Sequence, residues 1–127
     1  MKDIFIEKRY STYNLATIGD ILCVAGVNIE GICMTTRNGL SAIHILVKDD
    51  KEAKHILEAS GITISEISEV YVLQKDDKMV ASNPGYFGRI CRKLADNGVK
   101  INFGYSAENN RFVFGVDSLE NARELLG

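Results

Sequence analysis

The sequence predicts an α+β protein built from two copies of one unit, with helices on one face of an antiparallel sheet. Two observations lead to this prediction. Residues 15–29 (LATIGDILCVAGVNI) align with residues 87–101 (FGRICRKLADNGVKI) at an offset of 72 residues (98 − 26). Strand-like and helix-like periodicities also follow one another in the same order within both copies. A repeated sequence of this length indicates a repeated structural unit.

The first copy has the element order β-α-β-β-α-β, which is the ferredoxin-like order. Its strands are predicted from alternating or β-rich runs, and its helices from apolar residues spaced three and four positions apart. In chain order the predicted elements are residues 2–8, 13–25, 27–36, 40–47, 50–60 and 62–67.

Short local signals predict where these elements end. Gly26 and Gly61 are placed to close the two helices in a left-handed conformation. Asn38-Gly39 is a strong signal for a two-residue hairpin turn. Asp49 with Glu52 forms a capping box for the second helix.

The second copy repeats this order in a shorter form. Its predicted elements are a strand at residues 70–73, a helix opened by Pro84-Gly85, a hairpin of residues 99–107 and 111–116, and a helix capped by Asp117 with Glu120 that reaches Leu126. Gly127 aligns with Glu58, so this unit is expected to lack its last strand. The strand at residues 70–73 should then have an unfilled edge, taken up by a second chain or by the continuing segment 62–73. The predicted domains are residues 1–67 and residues 68–127.

Composition excludes several classes of protein. The net charge is −2, with Lys and Arg scattered, which argues against a nucleic-acid partner held by phosphate contacts. Cys23, Cys33 and Cys91 form no C-x-x-C pair, so we expect buried thiols in a reducing cytoplasm rather than disulfides or zinc. His44 and His55 have no partners at catalytic or metal-ligand spacing. We therefore expect a cytoplasmic protein that is not an enzyme, needs no cofactor and does not enter a membrane.

The motifs GVNI (residues 26–29), GVKI (98–101) and NPGYFGRI (83–90), in this order within a duplicated βαββαβ frame, resemble the ACT domain. The resemblance covers essentially the whole chain as two tandem units. It implies units paired side by side through the strand after the GVNI turn. It also implies a non-catalytic regulatory protein that senses an amino acid or similar ligand at the interface between its ACT units. The expected partners are that ligand, a second copy in a homodimer, and an enzyme or regulator in trans.

The resemblance implies two pseudo-equivalent ligand sites of unequal quality. The better site would combine residues of the second unit with two of the first: Ser82, Asn83, Pro84, Gly85 and Tyr86 with Asn28 and Ile29. The weaker site would combine Ser11, Thr12, Tyr13 and Asn14 with Lys100 and Ile101. Backbone N–H groups at a helix start suit a ligand carboxylate, and an Asn amide can bridge carboxylate and ammonium.

Several alternatives stay open at this point. Asn28 and Asn83 are also common turn residues, and Lys100 is either solvated or a partner for an acidic ligand. Residues 78–83, absent from the first copy, form either a lid or a surface insertion without a role. The protein is alternatively an assembly module without a ligand. An RNA-binding domain is a further alternative, with an aromatic platform drawn from Arg111, Phe112, Val113, Phe114, Phe103 and Tyr105.

Overall fold

The computed structural model describes residues 1–75 and 84–127. Ser82, Asn83 and the predicted lid or insertion at residues 78–83 therefore lie outside the described residues. The chain divides into two compact units, Met1–Ser68 and Glu69–Gly127.

The first unit has the predicted β-α-β-β-α-β order. Its elements are β1 (Lys2–Arg9), α1 (Asn14–Val24), β2 (Gly31–Arg37), β3 (Leu40–Val47), α2 (Asp50–Ala59) and β4 (Glu66–Glu69). The strands lie in the order β4-β1-β3-β2, and β3 is antiparallel to both β1 and β2. This is the strand order of a ferredoxin-like unit.

The core of the first unit lies between this sheet and its two helices. Alternate residues of β1 and β3 face the helices and are completely buried: Ile4, Ile6, Ile43 and Ile45. From the helices Ile18, Leu22 and Leu57 pack against them, also completely buried. Each such side chain contributes roughly 1.5–3 kcal/mol of transfer free energy, which makes this layer the main source of stability in the unit.

The described residues of the second unit repeat the order with one strand fewer. Its elements are β5 (Tyr71–Gln74), α3 (Tyr86–Asp96), β6 (Ile101–Ala107), β7 (Arg111–Val116) and α4 (Leu119–Leu126). The three strands lie in the order β6-β7-β5 and are antiparallel, with a register shift between Ile101 and Phe103. The buried core consists of Tyr71, Leu73, Leu94, Val99, Phe114 and Ala122.

The missing fourth strand of the second unit is confirmed for the described part of the chain. β7 lies on one side of β5, and no described strand lies on the other. The alternative that the continuing segment 62–73 fills this edge is wrong for the described residues. Its β4 portion lies beside β1, and the N–H of Ser65 donates to the carbonyl of Phe5 at 2.8 Å.

Three helices end in the same hydrogen-bonded motif. Gly26, Gly61 and Gly98 all have positive φ, between 72° and 84°. After α1, the N–H of Gly26 donates to Cys23 and that of Val27 to Leu22, which is the Schellman pattern. α2 and α3 repeat both bonds around their own glycines, and the acceptor leucines Leu22, Leu57 and Leu94 are buried.

This motif corrects three predicted strand boundaries. The strands expected from residues 27, 62 and 99 begin at Gly31, Glu66 and Ile101 instead. The reason is that the apolar residue after each glycine gives its N–H to the end of the preceding helix, so it cannot start a strand ladder. Their β-prone side chains pack on the cores all the same.

The hairpin turns follow the prediction. Asn38 and Gly39 have φ of 53° and 77°, and Asn109 and Asn110 have φ of 59° and 58°. These left-handed conformations are the ones for which Asn and Gly are favoured.

The predicted cap of the last helix is wrong by one residue. Ser118, rather than Asp117, occupies the cap position of α4, and its hydroxyl accepts from the N–H of Asn121 at 3.3 Å. The Asp117 carboxylate instead accepts from the N–H of Lys100 at 2.9 Å. In the first unit the predicted cap is correct, because Asp49 Oδ1 accepts from the N–H of Glu52 at 3.1 Å.

Candidate functional site

Asn28 lies at the surface of the first unit, immediately after the motif that ends α1. It is exposed, whereas its neighbour Ile29 is half-buried and packs on the core of the unit. Asn28 borders a depression of about 260 Å³. The depression is lined by Ala25, Gly26, Val27, Asn28, Glu30, Lys48, Asp49 and Glu52. Of the two residues predicted here, Asn28 is available to a ligand, and Ile29 serves the core.

Pro84 and Gly85 lead into α3 as predicted. Both are exposed, and Gly85 occupies the position before the first helical residue, Tyr86. The Tyr86 side chain packs on the core of the second unit. Burial of Tyr71, together with the nearby charge of an ionised Tyr86, raises the pKa of Tyr71. The Tyr86 side chain is therefore partly buried against the core. Pro84 and Gly85 are exposed and leave the start of α3 accessible.

The first-unit half of the weaker site is a loop held by its own side chains. Ser11 Oγ accepts from the N–H of Tyr13 at 3.2 Å, and Asn14 Nδ2 donates to the carbonyl of Arg9 at 3.0 Å. Asn14 is buried, so its amide fixes the loop and is not presented to solvent. Thr12 is exposed, and Tyr13 is 73% exposed. A depression of about 380 Å³ opens beside this loop.

The second-unit half of the weaker site has little to offer a ligand. The N–H of Lys100 donates to Asp117, and the N–H of Asp117 donates back to the Lys100 carbonyl at 3.1 Å. Ile101 packs on the core of the second unit. Only the Lys100 side chain is exposed here.

The starts of the four described helices fall into two classes. α2 and α4 each have a capping side chain and at least one acidic residue in the first turn. Both features stabilise the start of a helix. Among the described residues, α1 and α3 have no capping side chain and no acidic residue in the first turn. The uncapped helices are the two that the sequence resemblance assigns to ligand sites. In α1 the N–H of Asn14 donates to the Ser11 carbonyl at 3.2 Å. The remaining first-turn N–H donors of α1, like those of α3, lie at the positive end of the helix dipole.

Other polar clusters have structural explanations. His44 Nδ1 lies 2.9 Å from Asp3 Oδ2, and the ring stacks on Phe5 with centroids 4.7 Å apart. The sequence reading missed this pair, which joins residues 41 positions apart. The register signals it, because Phe5 lies opposite His44 and Asp3 is two residues from Phe5 on β1. Within residues 1–75 and 84–127, no group of His, Cys, Asp or Glu is arranged to hold a metal.

The three cysteines are free, but they are not uniformly buried as expected. Cys23 is exposed, because it follows the buried Leu22 on the outward face of α1. Cys33 and Cys91 are half-buried, and burial raises the pKa of the Cys91 thiol. No helix in the described part of the chain is long and apolar enough to cross a membrane.

The aromatic residues of the second hairpin do not form an open platform. Tyr105 and Phe114 are buried, and Phe112 lies against Phe87 with centroids 4.8 Å apart. Arg111 is buried and donates through Nε to the Glu108 carbonyl at 2.7 Å. Stacking on nucleobases requires exposed ring faces, so this surface favours a core role for the rings.

Comparison with known proteins identifies the fold. No family model and no curated protein sequence matches the chain. Among solved structures, protein BT0572 from Bacteroides thetaiotaomicron is similar with a TM-score of 0.82 at 20% identity, covering 98% of this chain and 85% of that one. The ligand-free regulatory subunit of aspartate kinase from Thermus thermophilus follows with 0.73 at 17%, covering 98% and 87%. That from Thermus flavus has 0.71 at 18%, covering 98% and 86%. The fold of this chain is that of ACT-domain proteins, present as two tandem units.

Proposed function

We infer that this chain is a non-catalytic regulatory protein that binds an amino acid through the ligand's free carboxylate. We further infer that it transmits ligand binding to a partner protein. The observation that carries this proposal is the contrast between the helix starts. The two starts expected at ligand sites lack both a capping side chain and an acidic first turn, and the other two have both.

A carboxylate ligand fits what α3 offers. Gly85 carries no side chain at the cap position, so no described side chain accepts from the N–H groups of the first turn. Such N–H groups suit an incoming anion. Ordinarily a Ser, Thr, Asp or Asn would supply the missing acceptor, and a Gly in its place costs roughly a few tenths of a kcal/mol. A ligand carboxylate would supply that acceptor and restore the stabilisation.

Asn28 is proposed to contribute the second set of contacts. Its amide is exposed and has both a donor and an acceptor, so it can bind the carboxylate and the ammonium of one amino acid. Lys100, its counterpart in the repeat, offers only donors. We therefore place the better site at Asn28 and Ile29 with Ser82, Asn83, Pro84, Gly85 and Tyr86. How these two halves meet is part of the proposal.

The similarity to regulatory subunits of aspartate kinase supports a partner that acts in trans. We propose that this partner is an enzyme or regulator whose activity responds to the bound ligand. An assembly module without a ligand is the second candidate. The observation that favours it is the side of β5 on which no described strand lies.

A thermal-shift screen of the twenty amino acids tests ligand binding. A ligand that binds only the folded state stabilises it by about 2.7 kcal/mol at a concentration one hundred times its Kd. At least one amino acid should raise the melting temperature by several degrees. Twenty flat responses would favour the assembly module.

The site assignment is tested by one variant and its counterpart. Asn28→Ala should abolish the shift without lowering the melting temperature of the free protein, because Asn28 is exposed. Lys100→Ala, the matched change in the second copy, should leave the shift intact. A normal response in Asn28→Ala would move the site elsewhere.

A further inference from the structure

The chain contains the dipeptide Asn-Gly twice, at Asn38-Gly39 and at Asn97-Gly98. Asparagine is a thermolabile residue, and a following glycine has no Cβ to keep its backbone nitrogen away from the asparagine side chain. All four residues are exposed. The glycines have nearly the same φ, 77° at Gly39 and 74° at Gly98, and a Cβ built on either would meet no atom within 4 Å. Sequence, exposure and local space therefore give the two asparagines the same opportunity to react.

Hydrogen bonds hold the second dipeptide at the end of α3. Asn97 Nδ2 donates to the Lys93 carbonyl at 2.8 Å, which fixes the side-chain amide against the last turn of the helix. The N–H of Gly98 donates to the Ala95 carbonyl at 3.0 Å as part of the motif that ends the helix. The side-chain amide and the neighbouring backbone nitrogen are therefore both engaged, and each must leave its acceptor before the two can meet.

The first dipeptide has no such bonds. Asn38 and Gly39 form the turn beyond Arg37 and Leu40, which are the last pair of the β2–β3 ladder. Within the described part of the chain, no hydrogen bond holds the Asn38 side-chain amide or the N–H of Gly39. The two groups that must meet are therefore both available in the folded protein.

We propose that Asn38 is a site of spontaneous deamidation and that the hydrogen bonds at the end of α3 protect Asn97 from the same reaction. The backbone nitrogen of Gly39 attacks Cγ of Asn38, so that a bond from this nitrogen to Cγ forms and the bond from Cγ to Nδ2 breaks. The side-chain nitrogen leaves as ammonia and takes up the proton that the Gly39 nitrogen loses. Water then opens the cyclic imide at one of its two carbonyls, which gives either aspartate or isoaspartate.

The product changes the first unit beside the loop that follows β1. Asn38 borders a depression that Arg9, Tyr10 and Leu40 also line, and deamidation adds a negative charge there. The carbonyl of Gly39 accepts from the N–H of Tyr10 at 2.8 Å. Isoaspartate lengthens the main chain of the turn, whereas aspartate does not. Because turn length fixes the register of a hairpin, only isoaspartate should weaken the bond from Tyr10 to the turn.

Ageing of the folded protein tests the site. The chain is incubated at mildly alkaline pH and digested with trypsin, which releases residues 38–48 and 94–100 as separate peptides. Mass spectrometry measures the acid and amide forms of both peptides against unaged protein. Asn38 should deamidate at least about tenfold faster than Asn97, because the second dipeptide must first lose two hydrogen bonds. Equal rates in the folded protein, or an Asn38 that stays an amide, would overturn the proposal.

The same measurement in denaturant is the control for local sequence. Both Asn-Gly dipeptides are free of hydrogen bonds in the unfolded chain, so their rates should become similar. A ratio that denaturant leaves unchanged would also contradict the proposal, since the flanking residues and not the fold would then set the difference.

A variant without the amide tests the effect on the turn. Asn38→Gly keeps a residue that favours the left-handed conformation and has no side chain to deamidate. Aged wild-type protein should melt roughly a few degrees lower than fresh protein, because the fraction with isoaspartate loses the bond from Tyr10. Aged and fresh Asn38→Gly should melt at the same temperature. An equal loss in both proteins would show that modification of Asn38 leaves the turn intact.

Discussion

Single residues decide where the two copies differ. Asp49 and Ser118 are related by the repeat offset of 69 residues (118 − 49), and both cap their helices. Because Asp117 and Glu120 form a D-x-x-E pattern, the sequence predicted the cap of the last helix one residue too early. Asp117 instead accepts the N–H of Lys100. An internal repeat is thus a better guide to cap positions than a motif taken alone.

The Ser118 cap gives the first prediction at this scale. Ser118→Ala should lower the free energy of unfolding by about 1 kcal/mol, because the N–H of Asn121 loses its acceptor. Ser118→Asp should recover most of the loss, since its carboxylate can accept the same bond and also favours the helix dipole. Urea denaturation of the three proteins measures the difference. Equal stability of Ser118→Ala and wild type would show that the cap contributes nothing.

At the scale of the elements, local patterns predicted well what local physics controls. The glycine at the end of α1, the Asn38-Gly39 turn and the two hairpins all appear where the sequence places them. Strand starts were predicted too early, because a β-prone residue after a helix-ending glycine still bonds to the helix. The Asp3–His44 pair was missed because it depends on strand register, which periodicity does not reveal.

The β6–β7 hairpin contains a close approach that calls for glycine. A Cβ on Gly115 would overlap the Phe103 ring, whereas one on Gly104 would meet the Phe112 ring at 3.0 Å. Phe103 pairs with Gly115 in the strand register, and its ring covers the glycine. Aromatic rings commonly cover strand glycines in this way.

This approach predicts unequal effects of the same substitution. Gly115→Ala should destabilise the protein by about 1–3 kcal/mol, because the Phe103 ring must leave its position. Gly104→Ala should cost less, since a few tenths of an ångström of ring movement suffices. Adding Phe103→Leu to Gly115→Ala should recover part of the loss in thermal denaturation. Equal losses at the two glycines would mean that the Phe103 ring moves freely.

At the scale of the whole molecule, the sequence predicted the duplicated fold and the incomplete second unit, because both follow from the repeat register. The candidate site was predicted only as sets of residues. Burial then separates them: Asn28, Pro84 and Gly85 are exposed, while Asn14 is taken up by the fold. A sequence pattern places a residue on a helix, strand or loop. It does not show whether the polar group of that residue stabilises the fold or is available to a ligand.

The incomplete second unit should also be the less stable one. β3 and β7 are matched strands, each flanked by a strand on both sides within its own unit. The first unit closes its core with Ile62, Ile64 and Ile67, whereas Leu126 of the second unit stays half-buried. Local opening follows local burial, so the β7 amides should exchange roughly tenfold faster than those of β3. Hydrogen exchange read by NMR at Phe114 and Ile45, which occupy equivalent positions, measures this directly. Equal protection would mean that both units open only together.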